Sequence, residues 1–328
     1  MNLSLLQSNK SRSVKITWDL VIIALLIVVW ILGTFTTDNF LTALNISQIF
    51  SNTSEIMIMA TAVTFLIIAG EIDLSIAANA ALSSCALGYV YRAGFPIWAS
   101  ILVAIAVGTL CGAINGFLVT RLKLVALAVT IATMALYRGL ANVLVGKKPI
   151  SEFPDFWTSL GFDTFGKSFV PKSLPIIFVI VLIFGILLHR TPFGRHTLAI
   201  GQSVEAARFA GINVERHKMI LFSLVGTMAG IAGTFYTFRF SLSQQDNATG
   251  FELLVIAACL LGGVSIFGGV GTMWGVIAGV LLAGSVESWL TLKDVNAQWR
   301  TIVTGVLLLI SVTVPAWLER RKKRAPKQ

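Results

Sequence analysis

Long apolar runs, repeated from one end of the chain to the other, restrict this sequence more than any other feature. They occur at about Trp18–Phe35, Thr53–Ala69, Leu74–Tyr89, Pro96–Val119, Leu124–Val145, Leu174–Leu188, Met219–Phe238, Phe251–Leu261, Met273–Leu290 and Trp299–Trp317. Most approach the roughly 20 residues that a helix needs to cross a bilayer. With 56% hydrophobic and 12% charged residues, the chain has too much apolar surface for one water-soluble core. No run shows the period-2 alternation of a barrel strand, and glycines fall inside the runs, so helices are the structure expected. The fold expected is an all-α integral membrane protein of about ten transmembrane helices, in one domain over residues 1–328.

Charge placement sets an expected orientation. Lys10, Arg12 and Lys15 precede the first run, and Arg320, Arg321, Lys322, Lys323, Arg324 and Lys327 follow the last. Ten crossings that start inside give the inner segments about twice the basic residues of the outer ones, as the positive-inside rule requires. Both termini, 1–17 and 319–328, are then expected in the cytoplasm. The first run lacks a small-residue cleavage site and reads as a retained span. The net charge of +10 is scattered along the chain, which fits topology better than nucleic-acid binding. Cys85, Cys111 and Cys259 lie in apolar sequence with no CxxC pairing, so they read as packing residues.

The longest polar interval is residues 189–218. Within it, Gln202–Gly211 has the make-up of one short amphipathic helix on the membrane surface. Ser203 is its N-cap, Glu205 lies in the first turn and Gly211 is the terminator. Such a helix between two spans is either a handle for a soluble partner or a plain solvated connector. The outer segment Gly146–Ser173 carries three prolines and six aromatics, the mark of an interfacial belt or of a docking lid.

A few polar positions interrupt the apolar sequence. Glu71, Asp73 and Ser75 sit between two runs, where Asp73 and Ser75 read as a turn and helix cap and proton coupling is the alternative. Glu55 and Glu287 are the only other acids in comparable settings. Arg138 lies deep in a span and must find an anion, a carbonyl, water or the outer interface. The glycine-rich Leu261–Thr272 lacks the lysine of a phosphate-binding P-loop and follows no strand, so its glycines read as a tight inner turn with close backbone approach. Gly226, Gly230 and Gly233 have the spacing of a helix-packing face. His189, His196 and His217 all fall in the polar interval without HExxH, which argues against an intramembrane enzyme.

These residues together resemble a family. Ile72-Asp73-Leu74-Ser75 after a glycine, Ala132-Thr133-Met134 with Arg138-Gly139, Thr191-Pro192-Phe193-Gly194-Arg195, Glu205 through Ile212, and Leu261-Gly262-Gly263 with Gly268 through Thr272 occur in this order in the ribose/arabinose/xylose-type permeases of bacterial ABC importers. The resemblance covers nearly the whole chain. It implies a non-enzymatic permease of the cytoplasmic membrane that holds no cofactor of its own, ATP being bound by a separate cytoplasmic ATPase. Its other implied partners are a second permease copy or paralogue, an extracytoplasmic solute-binding protein, a monosaccharide such as a pentose, and the bilayer. The segment around Glu205, Ala206, Ala207 and Gly211 becomes the coupling helix that seats in the ATPase, and 189–218 becomes the cytoplasmic coupling segment. Glu71, Asp73, Ser75 and Arg138 are the candidates for the translocation path or its gate.

The family often has two glycines before Ile-Asp-Leu-Ser, whereas this chain has Gly70-Glu71. Glu71 is therefore expected either to pair with a cation of the partner permease or to tune solute passage. Related members carry a furanosyl signalling molecule of the autoinducer-2 kind or a nucleoside, which are alternative solutes. An ion-coupled secondary transporter is the alternative of a different class.

Overall fold

In the computed structural model the described residues are 18–146, 148–166 and 168–300, with 302, 303, 305, 306, 309 and 313. The two basic tails, and most of the run expected at Trp299–Trp317, lie outside them. Among the described residues there are twelve helices and no strand, only the isolated bridges Ile150 to Ser243 and Thr164 to Pro171. In order the helices are α1 (Trp18–Thr36), α2 (Ala43–Ile68), α3 (Ile76–Arg92), α4 (Ile97–Thr120), α5 (Ala126–Val145) and α6 (Asp155–Phe162). They continue as α7 (Leu174–Arg190), α8 (Pro192–Gln202), α9 (Val204–Phe209), α10 (Val214–Phe240), α11 (Phe251–Leu261) and α12 (Met273–Leu292).

Nine of the ten apolar runs are thus helices, and the tenth lies mostly outside the described residues. Among the described residues six helices are long and apolar enough to cross a bilayer, and seven if α7 and α8, bent by 65° at their break, count as one. Two of the expected runs fall short in helix length. The 11 residues of α11 rise only about 16 Å against a hydrocarbon core of about 30 Å, and the 17 of α3 reach about 26 Å. The loop 241–250 and the segment 262–272 supply the rest of the chain's travel around α11.

α2 is the axis of the bundle. It is buried over most of its length and packs against α7, α10, α11 and α12 through one continuous apolar cluster. It begins ten residues before the apolar run that announces it. Thr42 caps it by accepting from Asn45 N, and Asn45 is buried because Nδ2 donates to Phe40 O at 2.8 Å while Oδ1 accepts from Ser288 at 2.6 Å. A polar first third is tolerable there because its groups are satisfied inside the protein.

α4 and α10 pack backbone to backbone. A Cβ on Gly226 would stand 2.3 Å from Gly108 O, and one on Gly112 would stand 2.3 Å from Phe222 O. Of the glycine spacing read in the sequence, Gly226 and Gly230 face α4 in this seam, and Gly233 meets Ala80 O of α3, approaches that only glycine permits. α1 lies outside the bundle against α12, held by Trp18 Nε1 donating to Leu261 O and Trp30 Nε1 to Ser285 Oγ, both at 2.9 Å. Its other face, including Leu25, Ile27 and Ile31, is exposed, as a lipid-facing helix requires.

Candidate functional site

The polar interval folds as two helices rather than one. Ser203 is extended (φ −162°, ψ 115°), which ends α8 at Gln202 and starts α9 at Val204. Gln202 therefore belongs to the preceding helix, a correction to the Gln202–Gly211 expectation. The rest of the expected chemistry is present. Ser203 Oγ accepts from Ala206 N at 3.2 Å, and Glu205 lies in the first turn. At the other end Gly211 N donates to Arg208 O at 2.9 Å and Ile212 N to Ala207 O at 3.0 Å. That pair of bonds is a Schellman closure, with Gly211 in the left-handed region at φ +83°. Asn213 then caps α10 by accepting from Arg216 N at 2.9 Å, and Arg208 pairs with Glu215 across the turn.

A six-residue helix has no stability of its own, so α9 depends on these caps and on its backing. Ala207 is turned inward at 3% exposure, while Glu205, Ala206 and Gly211 face outward. The sequence did not mark Phe209, yet it stands 94% exposed, an unusual position for a phenyl ring. Behind α9, the chain crosses at close quarters. Gly269 N donates to Ile68 O at 2.8 Å, and Gly201 has no room for a Cβ, which would lie 1.8 Å from Ile68 O. The glycine-rich 262–272 is thus the tight turn expected of it, clamped to the end of α2 and to α8. His217 bonds Thr197 through Nε2 at 2.8 Å and lies against Phe193, fastening α8 to α10.

The four residues expected on a path do not form one site. Asp73 and Ser75 are buried at the α2–α3 joint. Asp73 Oδ1 accepts from Ser75 N at 2.7 Å and from Ser75 Oγ at 2.6 Å. The bond falls just before α3 rather than on its first-turn amides, so Asp73 makes a turn ahead of the helix and Ser75 makes no side-chain cap. Asn115 Nδ2 donates to Ser75 Oγ at 2.8 Å, and the single Tyr137 hydroxyl proton is shared between Cys111 O at 2.9 Å and Asn115 Oδ1 at 3.1 Å. Asn115 and Tyr137 escaped the sequence reading. A lone Asn inside the apolar Pro96–Val119 run was the available signal.

Glu71 lies on the α9 side of the molecule. It pairs with Lys218 of its own chain, and the pair borders a cavity of about 290 Å³ also lined by Lys123, Arg208 and Glu215. The cation expected from a partner permease is supplied internally. Arg138 is elsewhere, donating through Nη1 to Gln245 O at 2.5 Å and Asn247 O at 2.7 Å. It has found carbonyls, one of the options a buried guanidinium has, and it pins the loop 241–250.

The family described as branched-chain amino acid transport system / permease component matches residues 45–312. The L-arabinose transport system permease protein AraH of Escherichia coli (strain K12) is 34% identical over 286 residues, 87% of this chain and 86% of that protein. The ribose import permease protein RbsC of Bacillus subtilis (strain 168) is 36% identical over 287 residues, 87% of each. The autoinducer 2 import system permease protein LsrC of Yersinia pseudotuberculosis is 33% identical over 281 residues, 83% of this chain and 77% of that protein. No solved structure matches the chain. A bundle with six or seven apolar span candidates among the described residues, matched over this length, is a multi-pass inner-membrane protein of that permease family, and within it the chain stands with the permease subunits of sugar ABC importers.

Proposed function

We propose that the chain translocates a monosaccharide inward, driven by ATP hydrolysis in a separate ATPase that seats on α9. In this reading 189–218 and both termini are cytoplasmic, two permease copies or a copy and a paralogue enclose the path, and an extracytoplasmic binding protein delivers the sugar. The chain binds no ATP itself. The observation that carries the proposal is α9: capped at both ends, backed by α8 and α10, and presenting Glu205, Ala206 and an almost bare Phe209 to the outside. A phenyl ring in water is an unfavourable arrangement for a surface with no partner, and a desolvated aromatic is a common anchor of protein interfaces.

A pentose is the favoured solute, as the named solutes of the AraH and RbsC relatives are L-arabinose and ribose. The similarity to LsrC supports a second reading, a furanosyl molecule of the autoinducer-2 kind. The test is purification of the tagged protein in mild detergent, with ATPase assay of what accompanies it and uptake in proteoliposomes. Recovery of an ATPase that is lost in Glu205→Lys, with ATP-dependent uptake of L-arabinose or D-ribose, is the expected result. Uptake that follows an ion gradient and ignores ATP would replace the proposal with a secondary transporter.

A further inference from the structure

A second polar cluster stands at the end of α10 farthest from α9. α10 has 27 residues, about 40 Å of helical rise, and Arg239 is its penultimate one. The guanidinium centre of Arg239 lies 4.3 Å from the Phe240 ring centroid and 6.0 Å from that of Tyr236. Its Nη1 donates to Asn52 Oδ1 at 2.9 Å, and its Nε is 2.9 Å from Glu55 Oε1. Glu55 comes from mid-α2, so two spans each place an ionisable group at one point.

An interfacial arginine normally sends its head outward to water. This one turns inward, its side chain 10% exposed and that of Glu55 1%. A buried ion pair repays its desolvation only when its remaining valences are satisfied. Here they are not: among the described residues neither Glu55 oxygen accepts an aligned hydrogen bond, and Arg239 Nε makes none. The pair therefore adds little to stability, and ionisable groups kept at such expense within spans mark solute paths. The opening is at Asn52 and Phe240, both exposed. Asn52 also lines a groove of about 50 Å³ between α2, α11 and α12, shared with Glu287. The groove is too small for a monosaccharide, so one chain supplies one wall.

We infer that Asn52, Arg239, Tyr236 and Phe240, with Glu55 buried behind the guanidinium, form a sugar-contacting subsite on the translocation path, at the mouth opposite α9. A neutral monosaccharide presents hydroxyls that both donate and accept, and a C–H face that is apolar. The cluster answers each: the guanidinium donates, the exposed Asn52 amide both donates and accepts, and two aromatic rings offer an apolar face, while the buried Glu55 holds the guanidinium from behind. The inference rests on the sugar-import reading above and locates where that sugar is touched.

Labelling and transport test it together. The chain's own cysteines are all buried, so Asn52→Cys gives this subunit one accessible thiol, read on the subunit's own band after labelling of the assembled transporter. A charged, membrane-impermeant maleimide should label it, and L-arabinose or D-ribose, whichever the wild-type complex imports with ATP, should slow labelling severalfold. Asn52→Ala, which leaves the ion pair in place and removes one hydrogen-bonding group, and Phe240→Ala, which removes a ring, should each lower uptake about tenfold, with ATPase recovery unchanged. No labelling would mean that Asn52 faces lipid, and wild-type uptake by both variants would mean that no sugar is held there; either result overturns the subsite alone. A wild-type complex that imports neither sugar with ATP overturns the import reading, and the subsite falls with it.

Discussion

Gly211 separates backbone strain from bulk at the segment proposed to couple ATP hydrolysis to transport. It sits at φ +83°, and a Cβ built there meets nothing within 4 Å, so a larger side chain collides with no neighbour. The cost of substitution is conformational. An ordinary L-residue pays about 1–2 kcal/mol in the left-handed region, and a β-branched one about 3 kcal/mol. Asparagine tolerates the region and closes helices in the same way as glycine. Gly211→Val therefore puts about 3 kcal/mol against the two Schellman bonds, each worth about 1 kcal/mol net. The six-residue helix cannot absorb the difference, and α9 should lose its fixed exit. Gly211→Asn, similar in size, should keep it. In proteoliposomes carrying the complete transporter, the ratio of sugar imported to ATP hydrolysed should fall at least tenfold for Gly211→Val and stay near wild type for Gly211→Asn. Equal behaviour of the two variants, whether both active or both inactive, would refute the strain argument.

Three further outcomes are expected elsewhere. Asn115→Ala strips Ser75 and Tyr137 of a buried partner and should cost about 2–4 kcal/mol, seen as a lower melting temperature in detergent; an unchanged melting temperature would deny that the α2–α3 joint is held by this network. Arg138→Leu should raise hydrogen exchange in 241–250 at least tenfold, about 1.4 kcal/mol, and leave 203–211 unaffected; protection equal to wild type would show that the carbonyl contacts do not hold the loop. Gly226→Ala should destabilise by about 1–3 kcal/mol because its methyl meets a backbone oxygen, whereas Gly139→Ala, which meets nothing, should be neutral or better; equal melting temperatures would contradict the close α4–α10 seam.

Features set by local chemistry were legible in the sequence. Ser203, Glu205 and Gly211 announced a capped helix because N-caps and left-handed terminators need particular side chains at particular offsets. The glycines of the α4–α10 seam were legible on one side only, since the spacing in 226–233 shows a packing face but not its partner. The start of α2 was missed for the opposite reason: its first turns are polar, and only the tertiary contacts of Asn45, Asn52 and Glu55 explain how they remain in the bundle. The partners of Glu71, Glu55 and Arg138 lie more than a hundred positions away along the chain. Apolar character and span length part company at α11. Phe251–Leu261 is apolar throughout but too short to cross.

α10 runs without a break from the cap at Asn213 to Arg239, and along its middle it is locked to α4, glycine backbone against backbone, with nothing compressible between them. The two helices therefore behave as one rod. A rod about 40 Å long that tilts by about 5° around its α9 end carries its far end through roughly 3.5 Å, more than the length of a hydrogen bond. Displacement on that scale would take Arg239 off Asn52 and Glu55 while leaving every contact near the pivot in place. A push too small to unseat α9 would thus be large enough, at the opposite mouth, to make or break the grip on a hydroxyl.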